Sequence, residues 1–596
     1  MLINPKLETL NKSFVKDYEK LYQESIKNPE AFWENIAKEL SWFKPWDKVL
    51  DWKYPYARWF VGGQTNIVYN ALDRHLETST ADKTALIWIG QDMSERKFTY
   101  RQLSEKVCKF ANGLKSLGVK KGDKITIYLP RIPEQFIAML ACLKIGAVHS
   151  VVYSGFSASA LKNRIEDAEA KIVICANSYP YGKKIIESKK NVDEAIKDNK
   201  TVKYVIVVKR LEEAKTPVLS NRLGPLWGEA AKNMVSSDQK YIWWNELMKN
   251  QSSVCPTEIM ESSDPAFILY TSGTTGKPKG IIHAHGGYMV GIYATLKFVF
   301  DISPDDIFWS TADAGWITGH SYILYSPLIN GITTFVYEGT PDYPDIEIWW
   351  RLIDKYKVTK FYTAPTAIRA LMRFGEEWWQ TETGMFMITP IPSVSLKPGS
   401  AFKPFFGIEA DVVDDKGNKV PTNTQGYLII KKPWPSMFLD VYNNPTRYKE
   451  TYFEKIPNVY FAGDSAKIDE DEYYWIVGRN DDVIKVSGHR LGSAELESAF
   501  VSNPKVAEAA VIGKPHEIKG ESIKAFVILK QGVIPSDELK TELVQTVRKS
   551  IGPIATPDEI DFVDKLPKTR SGKIMRRVLK AQELGLPVGD VSTLES

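Results

Sequence analysis

The chain has 596 residues, 43% of them hydrophobic, enough to bury more than one core and to fill roughly four ordinary domains or fewer large ones. Its 77 Lys and Arg nearly balance 73 Asp and Glu; a net charge of +4 argues against a nucleic-acid coat and a polybasic membrane surface, and leaves local basic sites for small anions. The sequence shows neither a charged-then-apolar leader nor an apolar run long enough for a bilayer, and Cys108, Cys142, Cys175 and Cys255 lack metal-like or paired spacing, so a soluble, cytoplasmic protein is expected.

In chain order, Lys124 to Leu129 alternates and stops at a proline, Pro133 to Ala147 has helical spacing with Pro133 and Glu134 at its start, and Val148 to Tyr153 is apolar again. The same alternation continues through the helix-like Ser157 to Ala170 and the strand-like Lys171 to Ala176 and Val202 to Lys209. It predicts an α/β fold with mostly parallel sheets. Leu211 to Gln239 is polar and irregular, a surface excursion before the strand Phe267 to Tyr270. Near Asp481 a smaller α+β module begins: a helix from Ser493, strands from Val506 and Lys524, and a helix whose start at Ser536 is followed by Asp537 and Glu538, as its dipole prefers.

The strand Phe267 to Tyr270 opens into TSGTTGKPKG, with three glycines, four hydroxyls and two lysines in ten positions. That composition frees backbone N–H groups to face an anion and adds mobile positive charge. A Walker loop has four residues between its glycines and Ser or Thr after its lysine; here two residues separate Gly273 from Gly276 and Pro278 follows Lys277, so the chain is no P-loop NTPase. Taken alone, the loop also reads as a flexible surface turn.

Three further stretches decide between those readings: WWQTETG at Trp378 to Gly384, GRNDDVIKVSGHR at Gly478 to Arg490, and LPKTRSGKIMRR at Leu566 to Arg577. With WFVGGQTN, NALDRH and GWITGHSY upstream, they occur in the order seen in one family. The chain resembles the acyl-adenylate-forming, ATP-dependent AMP-binding enzymes, and within them the acetyl-CoA synthetase group, over nearly its whole length. The resemblance implies a large N-terminal domain of several subdomains, residues 1–480, and a small mobile C-terminal domain, residues 481–596, meeting across the active site. It also implies two half-reactions: a carboxylate attacks the α-phosphorus of ATP, expelling pyrophosphate, and CoA then takes the acyl group from the acyl-AMP.

Carried over residue by residue, the likeness places Thr271, Ser272, Gly273, Thr274, Thr275, Gly276 and Lys277 on the phosphates, with Trp378, Trp379 and Gln380 beside the nucleotide. Lys573 matches the lysine that bridges carboxylate and α-phosphate, although from composition alone it reads as part of a basic patch with Arg570, Arg576 and Arg577. Thr381 contacts phosphate and Glu382 holds Mg2+, a hard cation suited to a carboxylate; Asp464 matches the ribose carboxylate, and Arg479 and Arg490 face ribose and phosphates. Ile317, Thr318 and Trp379 match the acyl pocket, where a bulky indole leaves room for acetate or propionate but not for a long chain. CoA is expected at Ser487 and Gly488, at Arg548, at Thr318 and Asp342, and at the loop Tyr181, Gly182, Lys183 and Lys184, where Tyr181 and Lys184 replace a pair of arginines. Val501, Asn503 and Val506 match a loop that holds magnesium through carbonyl oxygens, and Asp481 matches the hinge about which Lys573 and then the Gly488 face are presented. An exposed, essential Lys573 is also a natural acetylation target.

One departure stands out. RFGEEW, Arg373 to Trp378, runs straight into WQTETG, where the family carries a few dozen residues including a Gly-Glu-Pro turn that brackets adenine. Glu376 and Glu377 therefore stand where the family has an Asp-Thr pair, and the loss of a helix and a core strand is expected to expose apolar surface. The likeness leaves the acid open among acetate, propionate and 3-hydroxypropionate, and leaves open a shortened form that binds AMP or CoA without catalysis or pairs with an intact copy.

Overall fold

In the N-terminal part, short β-branched runs alternate with helices and assemble into two mostly parallel sheets. The structure, a computed structural model, describes residues 2–212, 240–271, 278–341, 343–345, 347–363, 378–480, 483–486, 489–516, 520–530, 532–552, 555–568, 574–588, 591 and 594. The first sheet has seven strands in the order Tyr241–Trp243, Tyr204–Val208, Ile172–Ala176, Lys124–Tyr128, Val148–Val151, Pro265–Thr271 and Lys279–Ala284. All neighbours run parallel except the last pair, which is antiparallel with Thr271 opposite Lys279. The surface excursion expected at 211–239 lies almost wholly outside the described residues.

The helix Pro133–Lys144 starts with its proline in the first turn and is buried on every side but Glu134, which explains its apolar composition. It ends earlier than the predicted Ala147 because Gly146 takes φ +70° and returns its N–H to Leu143 O at 3.1 Å, a left-handed stop. The helix Ala158–Asp167 is likewise shorter than predicted, with Ser157 outside it as the cap that accepts from Ala160 N.

The second sheet has five strands, ordered Lys360–Tyr362, Ile307–Ser310, Thr333–Tyr337, Thr84–Ile89 and Glu95–Thr99, parallel except for the final hairpin. Among the described residues it ends on the short strand Lys360–Tyr362, all three residues of which are only part-buried, with Trp350 half exposed beside Phe361. The residues that follow this strand, 364–377, lie outside the described residues, and with them the expected loss of a helix and a core strand.

Two smaller antiparallel sheets follow. Ala410–Val413, Gly426–Ile430, Tyr460–Ile468 and Tyr474–Arg479 form the first, in sequence order. The second, His489–Gly492, Val483–Val486, Gly520–Leu529 and Val506–His516, takes Glu559–Phe562 as a parallel neighbour of Gly520–Leu529. The helices Ser493–Val501 and Asp537–Ile551 flank this last sheet, and Ser536 caps the latter by accepting from Leu539 N at 3.2 Å. The strand expected from Lys524 begins at Gly520, because it pairs along the whole of Val506–His516. Buried residues between Ile484 and Ile560 form an apolar cluster of their own, separate from the large cluster running from Val15 to Tyr474.

Candidate active site

The TETG turn is held from below by its backbone. Gln380 N–H donates to Thr383 Oγ1 at 2.9 Å, Trp434 Nε1 and Ser436 Oγ both donate to Thr383 O, and Ser321 Oγ donates to Gly384 O. Gly384 sits at φ +71°, and a Cβ there would come within 2.8 Å of Ser436 O and 3.0 Å of His283 Cε1, so only glycine fits. His283 is buried, which pushes its imidazole down to about 4, and the neutral ring donates from Nε2 to Thr381 O at 2.7 Å. His283 lies on Lys279–Ala284, the strand that follows the predicted phosphate loop, so this bond ties that strand to Thr381.

Glu382 is buried, and its Oε1 accepts from Tyr452 OH at 2.5 Å. Burial, then the charge of Glu382, raises the Tyr452 phenol well above its ordinary range, so it is a donor at neutral pH. Lys279 Nζ, also buried, approaches Tyr452 OH at 3.1 Å and lies over the same ring. Tyr452 stacks on Tyr460 at 5.7 Å between centroids, and Tyr460 OH donates to Gln380 Oε1 at 2.7 Å.

The other end of the Gln380 amide reaches the predicted ribose carboxylate. Asp464 Oδ2 accepts from Gln380 Nε2 at 2.7 Å and from Trp378 Nε1 at 3.0 Å. Strand pairing sets Asp464 directly opposite Arg479, whose Nε lies 3.8 Å from Oδ1. Trp378, predicted beside the nucleotide, is buried in the core, and its indole N–H donates to Asp464. Trp379 is part-buried and packs edge-on against Tyr322 and Phe386, at 5.4 and 5.0 Å. Ile317 and Thr318 sit in the short helix Ile317–Gly319, which leads into the turn carrying Tyr322. Gly319 permits the close return there, since a Cβ would lie 2.2 Å from Asp313 O.

Thr271 closes its strand at the mouth of the phosphate loop. Ser272, Gly273, Thr274, Thr275, Gly276, Lys277, Asp342, Glu376, Glu377, Asp481, Ser487, Gly488 and Lys573 lie outside the described residues. Arg490 is placed by its backbone opposite Lys485. Tyr181 and Lys184 pair across a two-residue turn of Gly182 and Lys183, and Tyr181, Lys183 and Lys184 are exposed. Arg548 is exposed near the end of Asp537–Ile551. In the predicted carbonyl loop, Asn503 O already accepts from Val506 N, and the Asn503 side chain donates to Glu542 and accepts from Lys505 N; Val501 is exposed and Val506 buried.

The AMP-binding enzyme family matches residues 72–378, its C-terminal domain family matches 495–573, and the acetyl-coenzyme A synthetase N-terminus family matches 18–71. An acetyl-coenzyme A synthetase of Pyrobaculum aerophilum is 48% identical over 634 aligned residues, covering 97% of this chain and 92% of the relative. The chain belongs to the acetyl-coenzyme A synthetase family of AMP-binding enzymes. A member from Desulfatibacillum aliphaticivorans is also 48% identical, over 627 aligned residues covering 97% and 94%. Both alignments are longer than the 596 residues of this chain, as gaps in it require, and the AMP-binding match stops at Trp378, where RFGEEW meets WQTETG. Acetoacetyl-CoA synthetase from Streptomyces lividans superposes with a TM-score of 0.89 over 100% of this chain and 97% of that one; at 23% identity this supports the fold alone.

Four aromatic or polar side chains of the site were not singled out from sequence: Tyr322, Phe386, Tyr452 and Tyr460. Tyr322 was within reach, since it ends the quoted GWITGHSY motif; the others carry no local signal.

Proposed function

We propose that the chain is an AMP-forming acetyl-CoA synthetase, converting acetate and ATP to acetyl-AMP and pyrophosphate, then acetyl-AMP and CoA to acetyl-CoA and AMP. The observation that carries this reading is the near-full-length 48% identity to acetyl-coenzyme A synthetases, joined to a WQTETG turn whose Trp379 stands among Tyr322 and Phe386. Large rings packed around Trp379 leave room for a two- or three-carbon acid rather than a long chain.

In this reading Lys573 and the loop 271–277 neutralise charge that gathers on the phosphates, the main requirement of phosphoryl chemistry. Asp464, held by Trp378 and Gln380, accepts from the ribose hydroxyls, and Arg479 and Arg490 stand by ribose and phosphate. Glu382 fits as a Mg2+ ligand: it is one carboxylate with one oxygen engaged by Tyr452, and no group of three or more His, Cys, Asp or Glu that could cage a metal occurs among the described residues. Magnesium is usually held by one or two carboxylates plus phosphate and water, and when bound would neutralise charge on the phosphates. Thiolation is assigned to Ser487 and Gly488, with Tyr181, Gly182, Lys183, Lys184, Thr318, Asp342 and Arg548 on CoA. Rotation about Asp481 of a domain 481–596 against a domain 1–480 alternates the two steps. Acetylation of Lys573 would block the first, and a cytoplasmic location suits the reduced, buried cysteines.

Acid-dependent ATP–pyrophosphate exchange, run with acetate, propionate and 3-hydroxypropionate, tests the reading. Fastest exchange with acetate is expected; preference for a longer acid would replace the substrate. Lys573→Ala is expected to abolish exchange while sparing thiolation of supplied acetyl-AMP. A second reading, a noncatalytic binder of AMP or CoA, is favoured by the end of the family match at Trp378. Its signature would be thermal stabilisation by AMP from a folded sample that forms no acyl-AMP.

A further inference from the structure

The hairpin Tyr179–Ile186 is buried in the main core at Tyr179, while Tyr181, Lys183 and Lys184 at its tip are exposed. Among the described residues it is a two-stranded sheet, three residues to a side. Such a hairpin is marginal in water by itself, so its tip needs an anchor if Tyr181, Lys183 and Lys184 are to stay in place.

Gln91 supplies one. Its side chain is buried and treats Gly182 as a strand would: Gly182 N–H donates to Gln91 Oε1 at 2.7 Å, and Gln91 Nε2 donates to Gly182 O at 2.7 Å. Both backbone polar groups of one turn residue are thus satisfied by one amide. Gly182 sits at φ +57°, so this clamp also holds a left-handed turn residue in register.

The clamp is itself fixed. Gln91 lies in the turn between Thr84–Ile89 and Glu95–Thr99, and its N–H donates to Glu338 Oε2 at 3.1 Å. Glu338, buried just after Thr333–Tyr337, accepts both nitrogens of Arg210 at 2.8 and 2.6 Å. Arg210 follows Tyr204–Val208 of the other sheet and lies over the Trp88 ring. The two sheets are therefore cross-tied at the base of the hairpin by a bidentate charge pair, a rigid support for a short amide.

We infer that Gln91 is a positioning residue for coenzyme A: by clamping Gly182 it holds one aromatic ring and two ammonium groups where they meet the phosphate-bearing end of CoA. The inference rests on the proposed CoA role of Tyr181 to Lys184 and adds a residue that touches no substrate. Exposed lysines on an untethered turn would bind the same anion only after paying the entropy of ordering the turn.

The experiment titrates CoA calorimetrically into the full chain with AMP present, and measures acetate-dependent ATP–pyrophosphate exchange and Tm in parallel. Gln91→Leu, which keeps the volume and removes both bonds, is expected to raise the CoA Kd roughly tenfold and leave exchange and its KM for ATP and acetate unchanged. Gln91→Glu, which can still accept from Gly182 N–H, is expected to fall between. In a Lys183→Ala/Lys184→Ala background, Gln91→Leu is expected to add little, because both ammonium groups it positions are gone. An unchanged CoA Kd in Gln91→Leu, full additivity in that background, or loss of exchange and Tm together with CoA binding would each overturn the inference, as would a wild-type chain that does not bind CoA. A wild type that binds CoA without pyrophosphate exchange would instead overturn the catalytic reading, and the Kd comparison would still judge Gln91.

Discussion

Tyr452 OH donates to Glu382 Oε1 at 2.5 Å, and the residues are 70 positions apart, on the helix Pro445–Tyr452 and the TETG turn. The phenol also accepts from Lys279, so one side chain links the strand after the proposed phosphate loop to the carboxylate proposed for Mg2+. Supports of this kind orient a metal ligand, and their removal typically costs 10–100-fold in metal affinity. Tyr452→Phe is therefore expected to raise the Mg2+ concentration for half-maximal pyrophosphate exchange by about that factor. An unaltered Mg2+ dependence would dissociate Tyr452 from Glu382 function.

Gln380 faces Asp464 with its N–H2 and Tyr460 with its oxygen, so the amide cannot be replaced by a carboxylate without cost. In Gln380→Glu the new acid can still donate to Asp464 when protonated, but once ionised it leaves two carboxylates sharing one site. The ratio of variant to wild-type KM for ATP is expected to climb about tenfold as pH rises from 5.5 to 8.5. A ratio that does not vary with pH would show that the Gln380–Asp464 bond has no bearing on nucleotide binding.

Five of the seven histidines are held neutral by burial: His75 and His283 are pushed down to about 4, His285 and His320 to about 3, and His149 well below its usual value. In the unfolded chain they titrate near 6.5, so between that pH and about 4 unfolding takes up protons. The native state is then at full strength well above pH 7 and loses stability as pH falls, with a slope that approaches roughly 1.4 kcal/mol per pH unit for each such residue below about pH 6. Tm should drop steeply between pH 6.5 and 4.5; a flat profile over that range would refute the burial of these rings.

Lys144 Nζ, almost fully buried, meets both oxygens of Asp73 at 2.9 Å and Thr257 Oγ1 at 2.8 Å. Removing one partner of such a pair strands the other charge. Asp73→Ala is expected to cost about 3–5 kcal/mol and to lower the midpoint of urea unfolding. A midpoint equal to wild type would mean that water reaches Lys144.

Much of the fold is legible locally. The Lys124, Pro133 and Val148 segments, the cap at Ser536 and the order of the motifs all follow from periodicity, proline placement and turn chemistry, which act within a few residues. Boundaries slipped where a distant partner decides them: Gly520 joined its strand because Val506–His516 is long enough to pair with it. The bond from Trp378 to Asp464, 86 positions away, has no local signal in WWQTETG.

The sequence by itself determined the family and the α/β class, because motifs are contiguous and their chemistry depends on residue type and spacing. Only the tertiary structure decided what supports them. Tyr452 beneath Glu382, Gln380 against Asp464 and Gln91 on Gly182 join residues 70 to 91 positions apart, and such contacts are set by the packing of sheets against one another, for which no local pattern exists.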